Sequence, residues 1–289
     1  MLGENITFQL STVGAGAACV ALASAYVFSL YLWRTANTDR DNPETIKRRF
    51  ISVLAVCAVS PVFLWLISSP VGPSSGHSLF QLLGVKLTGF VTAVFAPLAL
   101  TMVLFLGPLA LQYQEGYLLL YADPHFWIEA FKDVYWLRSH VMAPLTEEFI
   151  FRACMLALLI PCLGSVKAIL FAPLVFGIAH LHHAYEMISQ GRSLKEAAII
   201  CTFQFVYTTI FGVYSGYLFV KTGHVMSVII VHAFCNHMGF PDFGAVFSFK
   251  SRLVRGLLIA CFICGAIGWY WCLGLLTDPR LYHNNVYRL

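Results

Sequence analysis

Apolar runs long enough to cross a bilayer recur along the chain at about 12–33, 50–69, 88–112, 146–163, 165–183, 197–220, 224–240 and 254–276. Eight such runs predict an all-α, polytopic membrane bundle of about eight transmembrane helices. The fourth and fifth runs are short and tightly joined through Pro161 to Gly164, and the seventh is also short. Residues 78–85 could add a re-entrant piece. One segment breaks the pattern: 113–142 mixes Tyr113, Tyr117, Tyr121, Phe126, Trp127, Phe131, Tyr135 and Trp136 with Glu115, Asp123, Glu129, Lys132 and Asp133. Aromatics interleaved with charge predict an interfacial helix at headgroup level. Neither an internal repeat nor a low-complexity tract is visible, so residues 1–289 read as a single integral-membrane domain.

Composition agrees with the pattern. The 289 residues are 59% hydrophobic and 11% charged, with a mean hydropathy of +0.75, whereas a soluble domain is about a quarter charged. The net charge of +4 is small and scattered, which argues against nucleic acid as a partner. Nearly all nine cysteines (19, 57, 154, 162, 201, 235, 261, 264 and 272) fall inside apolar runs. They read as small hydrophobes rather than a secreted disulfide framework. Cys261 and Cys264 form a C-x-x-C, but in the middle of a span, where packing is the better reading. Met1 to Leu10 contain Glu4 and no Lys or Arg, unlike a signal peptide, so the first span is expected to stay in the mature protein.

Charge placement orients the bundle. Alternating spans put Arg34, Arg40, Lys47, Arg48, Arg49, Lys132, Arg138, Arg192, Lys195, Lys250, Arg252 and Arg255 on one side. They leave Lys86, Lys167, Lys221, Arg280 and Arg288 on the other. The first side is expected to be cytosolic. The Asn5-Ile6-Thr7 sequon then faces the lumen, too close to the first span for glycosylation to be expected.

The candidate chemistry begins where ionisable groups enter an apolar run: Ala143-Pro144-Leu145-Thr146-Glu147-Glu148-Phe149-Ile150-Phe151-Arg152. Charges at that depth are costly and are normally paired, interior-facing and functional. Pro144 fits the first turn of a helix or a kink just inside it, and carboxylates near a helix start are favoured by its dipole. On an α-helix Glu148 and Arg152 lie about 40° apart and can pair, whereas Glu147 lies about 140° from Arg152 and is the freer carboxylate. A buried glutamate of that kind suits a general acid or base. Taken alone, the stretch could equally be a solvated first turn with one surface ion pair.

Parity of the spans brings partners. The fifth run ends Phe176-Gly177-Ile178-Ala179-His180-Leu181-His182-His183, and the seventh carries His232-Ala233-Phe234-Cys235-Asn236-His237. The start of the fourth run and the ends of the fifth and seventh share one membrane face, whatever the absolute orientation. Glu147, Glu148, Arg152, His180, His232 and Asn236 can therefore converge in one polar cavity. A glutamate and a histidine on one water make a general-base pair for hydrolysis. A histidine beside an asparagine supplies donors for a developing oxyanion. No H-E-x-x-H is present, and the G-x-S-x-G letters at Gly72-Pro73-Ser74-Ser75-Gly76 stand between two apolar runs rather than at a strand-to-helix elbow. Cys154 and Cys235 are offset from the polar faces of their helices, which disfavours a cysteine nucleophile.

Three stretches carry a family resemblance. Glu147-Glu148-x-x-x-Arg152, Phe176-x-x-x-His180 and His232-x-x-x-Asn236 resemble, in order, the motifs of the CAAX prenyl endopeptidases, most closely their eukaryotic Ras-converting group. The match covers about 138–242, with the catalytic motifs inside 143–240. It implies a glutamate-type intramembrane protease of the endoplasmic reticulum, active toward the cytosol, without a cofactor or catalytic metal. Such an enzyme removes the last three residues of farnesylated or geranylgeranylated CAAX proteins, Ras-type small GTPases among them. Residue by residue, the resemblance implies that Glu147 and His180 activate the water and that His232 and Asn236 form the oxyanion hole. Glu148 and Arg152 occupy the remaining motif positions, where the helical spacing gives them a supporting ion pair. His183, one turn from His180, could steady that histidine, while His182 reads as interfacial. The bilayer itself is a partner, because prenylated substrates are made in the cytosol and anchor shallowly. Two rivals remain at this stage. His180, His183, His232 and Glu147 could offer ligands for a zinc peptidase, although no compact metal signature is present. A non-catalytic membrane scaffold of the same superfamily would be expected to have lost a motif position, and all six are retained.

Overall fold

The computed structural model describes residues 4–33, 41–72, 76–179 and 182–289, and it is an all-α membrane bundle. Among the described residues four helices are long and apolar enough to cross a membrane: Thr12–Ser29, Pro43–Leu66, Leu194–Thr222 and Arg252–Leu276. Phe90–Leu104 and Leu106–Gln114 add a fifth span if taken together, bent by 73° at Phe105. Ser165–Ala179 and Val225–Met238 are shorter apolar helices. The outward faces of the long helices are apolar, with Val13, Leu66, Leu253, Trp271 and Leu275 all strongly exposed. In water such a surface would be a liability; against lipid it is the solvated face.

Two expectations need correcting. The fourth run does not begin near residue 146. Helical backbone continues without a break from 134 to 163, interrupted only by two π turns, Arg138–Met142 and Phe149–Cys154. Pro144 therefore lies inside a helix, and Glu147 and Glu148 gain nothing from a helix start. The proline is tolerated because the turn before it is widened: Ala143 N–H bonds Arg138 O, five residues back rather than four. That relieves the clash a proline ring makes in an α-helix interior.

The interfacial segment is likewise not one helix but three short ones, Tyr117–Tyr121, Pro124–Lys132 and Val134–Leu137. Asp123 and Asp133 stop one helix and cap the next, each accepting the backbone N–H two residues on at 2.9 Å. The aromatics of this segment stack on one another and on the end of Val225–Met238. Trp136 lies against His140 at 4.7 Å between ring centroids, and Tyr121 and His140 meet His237 at 4.9 and 5.6 Å.

At the opposite end of the bundle, a three-stranded sheet of two- and three-residue strands ties Asn5–Thr7 to Ser69–Pro70 and His77–Ser78 in antiparallel pairs. The segment after Arg252–Leu276 folds back over this end. Lys86 Nζ donates to Tyr282 O at 3.2 Å, and Asn284 Nδ2 donates to Val220 O at 2.8 Å. Gly89, at φ +78°, lets its backbone lie against Tyr282, where a Cβ would come within 2.6 Å of the carbonyl oxygen. His224 is buried here and donates through Nε2 to Thr88 O at 2.8 Å.

Candidate active site

Five of the six motif residues can be placed. Glu148 has no exposed surface, and both of its oxygens are taken. Oε1 meets Arg152 Nη1 at 3.0 Å and accepts from His232 Nδ1 at 2.7 Å, while Oε2 accepts from Ser215 Oγ at 2.6 Å. Arg152, also buried, lies between two aromatic faces, 4.3 Å from the Phe176 centroid and 5.5 Å from that of Phe211. The guanidinium fits because residue 212 is glycine. A Cβ there would meet Arg152 Nη2 at 3.1 Å and Pro173 Cβ at 2.7 Å. The carboxylate is met on several sides, while Arg152 Nη1 and Nη2 are buried without a well-directed hydrogen-bond acceptor among the described residues, so the guanidinium is held by the Glu148 charge and by the two rings.

Glu147 points elsewhere, into a cavity of about 520 Å³ that His232 and Asn236 also line. His232 Nε2 is 4.0 Å from Glu147 Oε2. One imidazole thus lies between the two glutamates, bonded to the buried one and facing the cavity one. Because an ionised Glu148 can only accept, Nδ1 carries the hydrogen. Nε2 then accepts in the neutral ring and donates in the imidazolium.

Asn236 Nδ2 donates to Ser139 O at 2.8 Å, and the sequence explains why that carbonyl is available. Ala143 N–H is used by Arg138 O in the widened turn, and Pro144 has no N–H to give. The proline and the π turn together leave Ser139 O unsatisfied by backbone and hand it to Asn236. The asparagine amide keeps a second N–H for a ligand.

His180 lies outside the described residues, and so do the side chains of His182, His183 and Glu186. Phe176 and Ala179, just before His180, line the cavity. Cys235 lines it too, although the residue is nearly buried, and Cys154 is buried in the core. Among the described residues no cluster of three or more His, Cys, Asp or Glu side chains could hold a metal ion.

Several contributors escape a motif-based reading. Ser215 belongs to a small-residue face with Gly212 and Gly216, a pattern that signals close helix approach but not a partner for a glutamate. Tyr26 OH donates to Thr146 Oγ1 at 2.9 Å, and Thr146 Oγ1 donates to Met142 O at 2.7 Å, which pins the first span to the site helix. Arg49 and Arg138 also line the cavity; in the sequence they count only as topology charges.

The comparisons with known proteins coincide with this geometry. Residues 131–238 match the family model described as Type II CAAX prenyl endopeptidase Rce1-like. CAAX prenyl protease 2 of Homo sapiens is 42% identical over 272 residues, covering 91% of this chain and 81% of its own. The Arabidopsis thaliana protein of that name is 31% identical over 307 residues, covering 98% and 94%. The Saccharomyces cerevisiae protein is 31% identical over 250 residues, covering 76% and 78%. No solved structure matches significantly. Identity of this extent over nearly the whole chain, together with the family model over residues 131–238, means that the chain belongs to the Rce1-like type II CAAX prenyl endopeptidases.

Proposed function

We propose that this protein is an intramembrane endopeptidase that removes the last three residues of farnesylated or geranylgeranylated CAAX proteins, Ras-type small GTPases among them. The observation that carries the reading is the separation of the two glutamates. Glu148 is consumed by Arg152, His232 and Ser215, while Glu147 lines the cavity with His232 Nε2 at 4.0 Å. In this reading Glu147, with His180, takes a proton from water. The water oxygen adds to the carbonyl carbon of the prenylcysteine, and His232 and Asn236 stabilise the oxygen that becomes charged. The C–N bond then breaks, the proton passes to the leaving amine, and a free tripeptide departs. His232 serves as an oxyanion donor through Nε2 in its imidazolium form, with Glu148 fixing the ring through Nδ1. Glu148 and Arg152 act by position.

Mass spectrometry of a farnesylated CAAX peptide incubated with the purified protein tests this directly. The expected products are the prenylcysteine-terminated peptide and an intact tripeptide, in equal yield with and without a chelator. Cleavage elsewhere in the peptide would overturn the substrate assignment. Loss of cleavage in chelator, restored by zinc, would overturn the metal-free activation of water.

We place the enzyme in the endoplasmic reticulum membrane, as the family resemblance implies, and orient the cavity toward the cytosol on the basis of the Lys and Arg asymmetry between loops. A cysteine introduced beside Arg48 is expected to react with an impermeant thiol reagent from the cytosolic side, and one beside Lys86 is not. The reverse labelling pattern would invert the topology.

A further inference from the structure

We propose that Arg138 and Arg49 recognise the free α-carboxylate of the substrate's C-terminal residue, and so set the position of cleavage at three residues from the chain end. The inference rests on the function proposed above and concerns the same cavity. Both arginines line it, and Glu147 is the one acidic side chain among the described lining residues. Much of the remaining wall is apolar, with Val27, Leu30, Ile46, Phe50 and Met142. A carboxylate entering such a space loses water and needs a cation in return. An arginine fork matches its two oxygens better than any other side chain.

Both arginines stand on elements that also build the cavity wall. Arg138 is one residue from Ser139, whose carbonyl holds Asn236 at 2.8 Å, so its backbone is anchored at the edge of the catalytic group. Its side chain, a third exposed, extends to Asp41, which it meets through Nη1 at 2.9 Å. Asp41 thus steadies one arm of the guanidinium, which has five N–H donors in all. Arg49 reaches the cavity from a different helix, Pro43–Leu66, with its guanidinium 5.9 Å from the Tyr31 ring centroid. Three extended residues span about 10 Å. In the proposed complex the scissile carbonyl lies beside Asn236 and the carboxylate lies that length further on, at the arginines. A chain that continued past this point would bring a neutral peptide bond to the arginines and forfeit the pairing.

The test compares kcat/KM for a farnesylated CAAX peptide with that for the same peptide ending in a carboxamide, using the full chain in detergent or vesicles. Wild type is expected to prefer the acid by about 10- to 100-fold, the range for a hydrogen bond to a charged group. In Arg138→Gln and Arg49→Gln the acid-to-amide ratio is expected to collapse toward one, with Arg138→Lys retaining part of it. A wild-type ratio near one overturns the inference, and that measurement does not depend on any variant folding. It is also overturned if the glutamine variants lose activity equally on both peptides, which would mark a purely structural role such as the pairing with Asp41. If wild type cleaves neither peptide, the proposed function itself fails; cleavage of both at equal rates removes only the carboxylate recognition.

Discussion

Replacing Glu147 by glutamine is expected to lower kcat on a prenylated CAAX peptide by about 10²- to 10⁴-fold, the usual contribution of a positioned general base. The protein should fold and accumulate as wild type does. The two halves of that expectation come from one structural division. Glu147 lines the cavity beside His232 Nε2 and stands outside the buried set formed by Glu148, Arg152 and Ser215. Exchanging its carboxylate for an amide of the same shape removes the base and leaves that set intact. KM should change much less than kcat, since the group acts on the water rather than on the lipid or the peptide. Turnover near wild type in the glutamine variant would end the assignment of Glu147 as the base.

Glu148→Ala is expected to act on stability first, by about 3–5 kcal/mol, the range for removing one partner of a buried charge pair. The alanine leaves the Arg152 guanidinium between Phe176 and Phe211 with no carboxylate, and leaves Ser215 and His232 Nδ1 without their acceptor. Activity should fall with it, because nothing then fixes the imidazole. A double-mutant cycle separates the causes. Glu148→Ala combined with Arg152→Ala should be less destabilised than Glu148→Ala alone, since the orphaned charge is gone, while catalysis should not return. Thermal unfolding in detergent measures the first, and peptide cleavage the second. An unfolding midpoint unchanged by Glu148→Ala would remove the ion-pair account.

Much of this arrangement is legible in the order of residues. Apolar run lengths mark the membrane helices, and span parity brings Glu147, Glu148, Arg152, His232 and Asn236 to one end of the bundle. The i, i+4 spacing separates the two glutamates. What pattern cannot supply is the identity of contacts made between helices, because helical period says which side chains share a face and not what that face meets. Ser215, Gly212 and Tyr26 are of this kind. So is the pairing of Asn236 with Ser139 O, which depends on a backbone carbonyl that no residue-type motif describes. Arg49 and Arg138 were visible, but only as charges that vote on orientation. The misplaced helix start at Pro144 has a simple cause: a proline ordinarily marks the first turn, and only a widened turn just before it allows the helix to run through.

Those widened turns have a consequence for how this region tolerates change in length. A π turn amounts to one residue more than an α-helix needs to cover the same rise. Deleting a single residue within Phe149–Cys154 would let the helix relax to regular α geometry without breaking it. The turns on either side, with Glu147 and Glu148 before it, would keep their rotation relative to Met155–Leu163, because the surplus residue is absorbed within the widened turn. Arg152 lies inside that turn, so a deletion between it and Glu148 would cut their spacing from four residues to three. A relative with that deletion would keep its span and the face that carries Glu147, and would have to rebuild the buried ion pair.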